Sequence, residues 1–341
     1  MNAVVVFSER LGALGEPEQR IAAETGAELV VEPLWTEEQL IDAGGRADVL
    51  VLGAVEPVTA RVVEALTRTT LLVRRGIGVD NVDVAAATGR GLPVAYVPDA
   101  SVEEVSDHAV ALLLAAERRL FAAVDAVRDG DTPAAGAAVG TARRFADLVV
   151  GVVGFGRIGQ AAARKLAPLV RRVVAADPYG SPSAAEELGV ELVELDELFA
   201  ASHAVTLHAP LTDATRGLVS AERLALLQPG AVVVNTARGE LVDEAALVEA
   251  VRAGRVAVAA LDVTAREPLA AGDPLLKEPG IVLTGHTAAK GRRSGRQLRD
   301  EVVRAVLDGL AGRAPRHLAD PSVLAHPACA LAGDAGGTGD A

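Results

Sequence analysis

Arg238, Glu267 and His286 each stand just beyond a run that reads as a buried strand: AVVVNT (231–236), VAVAALDV (256–263) and GIVLTG (280–285). A fourth such run, LVVGVV (148–153), leads into the glycine loop Gly154-Phe155-Gly156-Arg157-Ile158-Gly159. A guanidinium is a permanently charged planar fork that matches a carboxylate. An imidazole changes charge near neutral pH and can give or take a proton, and a neighbouring carboxylate can hydrogen-bond its second nitrogen. Reducing a 2-keto acid needs an anchor for the carboxylate, a proton for the developing alkoxide and a hydride donor. The three side chains fit the first two needs, and the glycine loop fits a dinucleotide that brings the third.

For these groups to meet, their strands must end at one edge. In an open parallel sheet they do, and ligands bind in the crevice outside the carboxyl ends. Strand-like and helix-like segments alternate from the start, which is the pattern of a parallel α/β architecture. The first block holds AVVVF (3–7), AELVVE (27–32), DVLVLG (48–53), TLLVRRG (70–76) and LPVAYVP (92–98). A long apolar run follows over 102–124, read as one helix, and then the glycine- and proline-bearing stretch 128–144, read as irregular. A nucleotide-domain series runs from Asp147 to about 288, and 294–312 reads as an amphipathic helix that packs back on the first block. The expected division is 1–99 plus 290–325 as one discontinuous substrate-binding domain and 100–289 as an NAD-binding domain. Residues 326–341 lack periodicity and bulk and are expected to form a disordered tail.

Each glycine of the loop has a mechanical reason: a tight turn, close approach to a pyrophosphate, and close packing of helix on strand. The helix that starts at Arg157 and Ile158 would aim free N–H groups at the phosphates. Asp177 follows the next strand, RRVVAAD (171–177), 18 residues after Gly159. That is close to the ~20 expected of the carboxylate that binds the ribose hydroxyls. No basic residue follows in Pro178-Tyr179-Gly180, so a 2′-phosphate would meet a carboxylate without a counter-ion, which favours NAD over NADP.

The chain has 341 residues, room for two domains and a sizeable core. Its net charge of −13 disfavours nucleic acid and anionic lipid as partners, while leaving room for a local basic pocket that takes a small anion. Half the residues are hydrophobic and the mean hydropathy is +0.30, yet no apolar run is long enough to span a bilayer. The start, MNAVVVFSER, has no basic leader and reads as a first strand, so a cytoplasmic enzyme is expected. The single cysteine, Cys329, excludes a disulfide framework and a cysteine-based metal site, and no metal is expected.

The combination of RRGIGVDNVDV (74–84), GVVGFGRIG (151–159), DPY (177–179), TLHAPLTDATRGLV (206–219), VNTARGELVDEAAL (234–247), ALDVTAREPL (260–269) and TGHTA (284–288) resembles the D-isomer-specific 2-hydroxyacid dehydrogenase family. ASVEEVSDH (100–108) and DPYGS (177–181) look most like its C-terminal-binding-protein-like branch. The resemblance implies two Rossmann-like doubly wound domains with a cleft between them, and a homodimer formed through the nucleotide domain. It implies that Arg238 binds the substrate carboxylate, that Glu267 pairs with His286, and that His286 is the acid/base. It further implies that Ile77 and Gly78 hold the substrate carboxylate through their N–H groups beside Arg74. Asp262, Thr236 and Ala237 would face the nicotinamide, Ala209 and Pro210 would flank the cofactor's adenine side, and Thr215 is a further cofactor-binding residue.

Three positions depart from the family pattern. Gly285 stands where a proline usually precedes the histidine, Ala289-Lys290 where the nearest branch has Trp-Tyr, and Val102 where a hydroxyl is frequent. Lys290, four residues after His286, is a candidate contact for a second anionic group on the substrate. The leading reading is an NAD-dependent interconversion of a 2-keto acid and a D-2-hydroxy acid. The alternatives are an NAD(H)-sensing, corepressor-like binding protein and a dehydrogenase acting on a phosphonate or other oxyanion. His108 and His208 read as structural.

Overall fold

Runs such as VVGVV, AVVVN and VAVAAL are apolar without alternation, as strands covered on both faces must be. In the computed structural model, which describes residues 2–331, they form two all-parallel sheets. The chain divides into two compact units: one takes the residues before Val102 and after Lys290, the other spans Val102–Lys290. The sequence-based divisions at 99/100 and 289/290 lie one or two residues away.

The first unit holds a five-stranded sheet of β1 (Val4–Ser8), β2 (Glu28–Glu32), β3 (Val49–Leu52), β4 (Leu71–Arg74) and β5 (Val94–Tyr96), in the order β2-β1-β3-β4-β5. One face packs under the helices Glu16–Thr25 and Arg292–Leu310, the other under Glu37–Gly44, Ala60–Ala65 and Val84–Arg90. The helix Arg292–Leu310 buries Val302, Val303 and Val306 against Val49, Val51, Leu71 and Val73, which returns the C-terminal part of the chain to this unit.

The second unit holds β6 (Val149–Val153), β7 (Arg172–Ala176), β8 (Glu191–Leu192), β9 (Ala204–Leu207), β10 (Ala231–Asn235), β11 (Val256–Leu261) and β12 (Ile281–Leu283). Their order is β12-β11-β10-β9-β6-β7-β8, so the winding reverses between β6 and β9. The register is level across the sheet: Val152 pairs Thr206, Thr206 pairs Val234, Val234 pairs Ala260, and Ala260 pairs Val282. Two residues further along each strand, Gly154, His208, Thr236, Asp262 and Thr284 therefore come out in one row at the carboxyl edge. Side chains two apart share a face. Val150, Val152, Val234 and Ala260 pack against Ala109, Leu112, Leu113 and Ala116 of the helix Val102–Glu117, so the row's side chains turn toward that helix.

Three local expectations are corrected. The run 102–124 is not one helix: it breaks into Val102–Glu117 and Leu120–Arg128 at Arg119, which takes a left-handed φ of 56°. The stretch 128–144 is not irregular throughout, because Thr132–Gly140 is helical. Asp131 caps that helix by accepting from the Ala134 N–H, Pro133 sits in its first turn, and alanine carries the rest. Residues 326–331 are not a loose tail either. Leu331 is buried in the first unit's core with Cys329 packed beside it, and His326 and Cys329 lie over Gly91, where an added Cβ would come 2.4 Å from His326 Nδ1. The remainder of the expected tail, 332–341, lies outside the described residues. Among the described residues no helix is long and apolar enough to cross a membrane.

Candidate active site

The turn after β6 shows what each glycine does. Gly154 has φ +89°, and a Cβ there would come 2.5 Å from the Ala209 N, so the turn after β6 lies hard against the strand end of β9. A Cβ on Gly159 would come 2.0 Å from the Gly154 carbonyl, so helix packs on turn without room for a side chain. At Gly156, the N-cap of the helix Arg157–Leu166, a Cβ would meet no protein atom within 4 Å. Two glycines are thus required by the fold and the middle one faces open space at the winding reversal. A pyrophosphate fits that place, on the N-terminus of a ten-residue helix.

Asp177 leaves β7 beside this turn. One carboxylate oxygen accepts from the Phe155 N–H at 2.7 Å and the other from the Tyr179 N–H at 2.8 Å. It braces the glycine loop as well as presenting a carboxylate where a ribose would lie. After β9, Thr215 donates to the Pro210 carbonyl at 2.7 Å and holds the Ala209-Pro210 turn. His208 Nε2 lies 3.0 Å from Thr206 Oγ1, while its Nδ1 is buried with no hydrogen-bond partner among the described residues. Burial pushes its pKa down to about 4, so the ring is neutral at pH 7.

Beyond β10, Thr236, Ala237 and Arg238 follow Asn235, which is 1% exposed and which sequence reasoning did not single out. Its amide donates to the Arg238 carbonyl at 2.8 Å and accepts from the Ala237 N–H at 3.0 Å, so one buried side chain fixes the backbone on both sides of Arg238. Thr236 Oγ1 is buried with no partner among the described residues. A Cβ on Gly239 would come 1.9 Å from the Thr264 carbonyl carbon, which brings the loop after β10 against the loop after β11.

That second loop carries Glu267. Its Oε2 lies 2.7 Å from His286 Nδ1, and its Oε1 accepts from the Thr264 N–H at 3.1 Å. Burial pulls the Glu267 pKa up, but the His286 and Thr264 hydrogen bonds outweigh it and hold the carboxyl below its ordinary range. Glu244, also missed in the sequence, accepts from the Ala265 N–H at 2.7 Å. Burial and the nearby carboxylates Asp273, Glu240 and Glu267 push its pKa up.

The loop after β12 presents His286 with a left-handed φ of 57°, preceded by Gly285 at φ 69°. A proline, fixed near −65°, could not occupy position 285 in this turn, which accounts for the departure from the family pattern. Asp262, 2% exposed, holds the turn. Its Oδ1 accepts from Thr284 Oγ1 at 2.6 Å and from the Thr287 N–H at 2.8 Å, its Oδ2 from the Ala288 N–H at 2.9 Å, and its carbonyl from the His286 N–H at 2.5 Å. Burial raises its pKa, yet these bonds to Thr284, Thr287 and Ala288 prevail and hold it below the ordinary aspartate value. Lys290 follows two residues later with its side chain exposed and its N–H donating to the Thr287 carbonyl at 2.8 Å.

In the first unit, Arg74 ends β4 and the loop after it holds Ile77 and Gly78. Arg74 is buried and donates to the Arg75 carbonyl at 2.9 Å, with its guanidinium folded against Gly76. It supports the loop from beneath. Among the described residues no acceptor meets the N–H groups of Ile77 and Gly78. Also among the described residues, no group of three or more His, Cys, Asp or Glu side chains is placed to hold a metal ion.

A parallel sheet with a tight glycine turn at its winding reversal, a helix N-terminus behind it and a carboxylate on the next strand is a dinucleotide-binding domain of Rossmann type. Residues 110–288 match the D-isomer specific 2-hydroxyacid dehydrogenase, NAD binding domain, and the chain belongs to that family. It is similar to the D-3-phosphoglycerate dehydrogenase of Mycobacterium tuberculosis, with 40% identity over 286 residues, 83% of this chain and 53% of the relative. It is 34% identical over 298 residues to the glyoxylate reductase of Korarchaeum cryptofilum, 85% of this chain and 90% of that one. The crystal structure of a Thermus thermophilus protein superposes with a TM-score of 0.81 at 32% identity, over 93% of this chain and all of the other. The chain spans about half the length of the phosphoglycerate dehydrogenase relatives it matches. These names place the chain in the family, not in a branch of it. The cofactor class is NAD.

Proposed function

We propose that the protein interconverts a 2-keto acid and a D-2-hydroxy acid with NAD. The observation that carries this is the hydrogen bond between Glu267 and His286, in the loops after β11 and β12, in a sheet whose β6 ends in the glycine turn. Arg238 lies just past the neighbouring strand β10, where its guanidinium donates to the Ala237 carbonyl at 2.7 Å. Gly154, Gly156, Arg157, Ile158 and Gly159 would hold the pyrophosphate, Asp177 the ribose, Ala209 and Pro210 the adenine side, with Thr215 as a further cofactor-binding residue, and Thr236 and Ala237 the nicotinamide side. Bound NADH supplies the hydride. Arg238 binds the substrate carboxylate as a charged fork and polarises the carbonyl next to it. His286 gives its proton to the developing alkoxide and recovers it in the reverse direction, with Glu267 fixing the ring and balancing its charge. In the first unit, the Ile77 and Gly78 N–H groups are suited to hold a carboxylate above the support of Arg74.

Asp262 enters this scheme as the brace of the His286 turn, since its carboxylate is engaged there. Lys290, exposed and at the end of that turn, is suited to a second anionic group on the substrate. A homodimer is supported by Leu120, Val124 and Val127, which are exposed at i, i+4 and i+7 along the helix Leu120–Arg128. The test is NADH oxidation followed by absorbance across a panel of 2-keto acids, including glyoxylate, pyruvate, dicarboxylic and phosphorylated members. Turnover with at least one, abolished by His286→Ala, supports the reading. Tight NADH binding with no turnover on the panel contradicts it and favours a sensing protein.

A further inference from the structure

His108 lies outside the residues assigned above, one turn before Leu112 on the helix Val102–Glu117. Level register puts Asp262 and Thr284 in one row on the sheet face that this helix covers, and His108 meets them there. Its Nε2 lies 3.1 Å from Thr284 Oγ1 and 3.6 Å from Asp262 Oδ1. Thr284 Oγ1 is 2.6 Å from Asp262 Oδ1. An ionised carboxylate only accepts, and a threonine hydroxyl has one proton. That proton goes to Asp262, so the bond between His108 and Thr284 must be donated by the ring: His108 Nε2 carries a hydrogen.

We propose that His108 is a positioning residue for the reaction: through Thr284 it holds the Asp262 carboxylate, and so the left-handed turn that presents His286. The turn needs such holding. A non-glycine residue at positive φ is strained and persists only where its surroundings over-determine it. Here those surroundings are the bonds that Asp262 receives from Thr284, His286, Thr287 and Ala288. Of the two hydroxyls that reach the carboxylate, Thr287 lies 3.4 Å away and also donates to the Thr284 carbonyl at 3.0 Å. Thr284 makes the short bond of 2.6 Å, and His108 fixes the rotation of that hydroxyl by occupying its lone pair. The helix that covers the sheet is thereby tied to the acid's orientation without touching substrate.

This inference rests on His286 being the acid, and the two fail separately. Nitrogen-15 NMR of the histidine rings in the wild-type protein should show His108 with a protonated Nε2; an unprotonated, pyridine-like Nε2 overturns the proposal. In steady-state kinetics His108→Ala should lower kcat about tenfold, the scale of one hydrogen bond, and leave the KM for NADH within about twofold. His108→Gln, whose amide can donate to Thr284, should recover most of that loss. Thr284→Val should lower kcat similarly, and adding His108→Ala to it should cost little more, since both act through one bond. Unchanged kcat in His108→Ala, a glutamine no better than alanine, or fully additive losses each sink the role of His108 while leaving that of His286 standing. Normal turnover in His286→Ala removes the reading beneath it.

Discussion

Glu267 Oε2 and His286 Nδ1 lie 2.7 Å apart, so the loop after β11 fixes one side of the imidazole that the loop after β12 carries. Because Glu267 takes the Nδ1 side, Nε2 is the nitrogen left to face a substrate oxygen. His286→Ala should bind NADH as the wild type does and lose roughly 10²–10⁴ in turnover, the range for a general acid. Glu267→Gln should lose less. The Glu267 carboxyl is held below its ordinary 4.5 by His286 and Thr264. Its contribution to the folded site is therefore complete above pH 4.5 and is lost as pH falls through the lower folded value. The acid limb of kcat/KM should flatten in Glu267→Gln; an unaltered limb would assign it to another group.

Asp177 joins cofactor choice to loop geometry, since the oxygen that accepts from the Phe155 N–H is part of the carboxylate that would bind the ribose. Asp177→Ser should weaken NADH binding and relax the exclusion of NADPH by removing a like charge. A charge-assisted hydrogen bond contributes about 1.5–3 kcal/mol, so the NADH/NADPH preference should fall at least tenfold. Dissociation constants for both cofactors measure this directly. A preserved ratio would place the discrimination elsewhere.

How far the site was legible depends on whether its signal is local. The glycine turn, Asp177, Arg238, Glu267 and His286 were readable because each is an unusual residue just past a strand, and strands announce themselves by apolar runs. Asn235 was hidden as the last residue of a buried strand, and Glu244 in the first turn of the helix Glu244–Arg252. Their roles lie in bonds to the loops they adjoin. His108 was hidden more deeply: its partner is 176 residues away and is set by the register of β11 with β12 and by the helix above them. The helix Thr132–Gly140 was missed because glycine and proline outweighed its alanines and the Asp131 cap.

His208 gives the fold a measurable sensitivity to acid. Its ring is buried and neutral, with a pKa near 4 against an ordinary 6.5. Between those values the unfolded chain binds the proton and the folded chain does not, so stability falls as pH drops from 6.5 to 4 and no further below it. At about 1.36 kcal/mol per unit the whole effect is on the order of 3 kcal/mol as an upper bound. His208→Gln should remove that part of the pH dependence. Urea midpoints at about pH 7 and about pH 4.5 for the two proteins should show a smaller drop in the variant. An equal drop would mean that His208 gains its proton without opening the structure.

Asn235 should matter to substrate binding without touching substrate. Its side chain is buried and makes two bonds, one to the backbone on each side of Arg238. Asn235→Ala leaves the Ala237 N–H without its acceptor and the Arg238 carbonyl without this donor, at about 1–3 kcal/mol for each group that stays buried. The backbone relieves that penalty by shifting, and the guanidinium shifts with it. Asn235→Asp keeps the acceptor for Ala237 but turns a carboxylate oxygen toward the Arg238 carbonyl, so it should be no milder. For both variants the KM for the best 2-keto acid should rise tenfold or more. The KM for NADH should change less, because Gly154, Asp177 and their supports lie on other strands. A variant that binds substrate normally but melts several degrees lower would show that Asn235 supports the sheet and not the anchor.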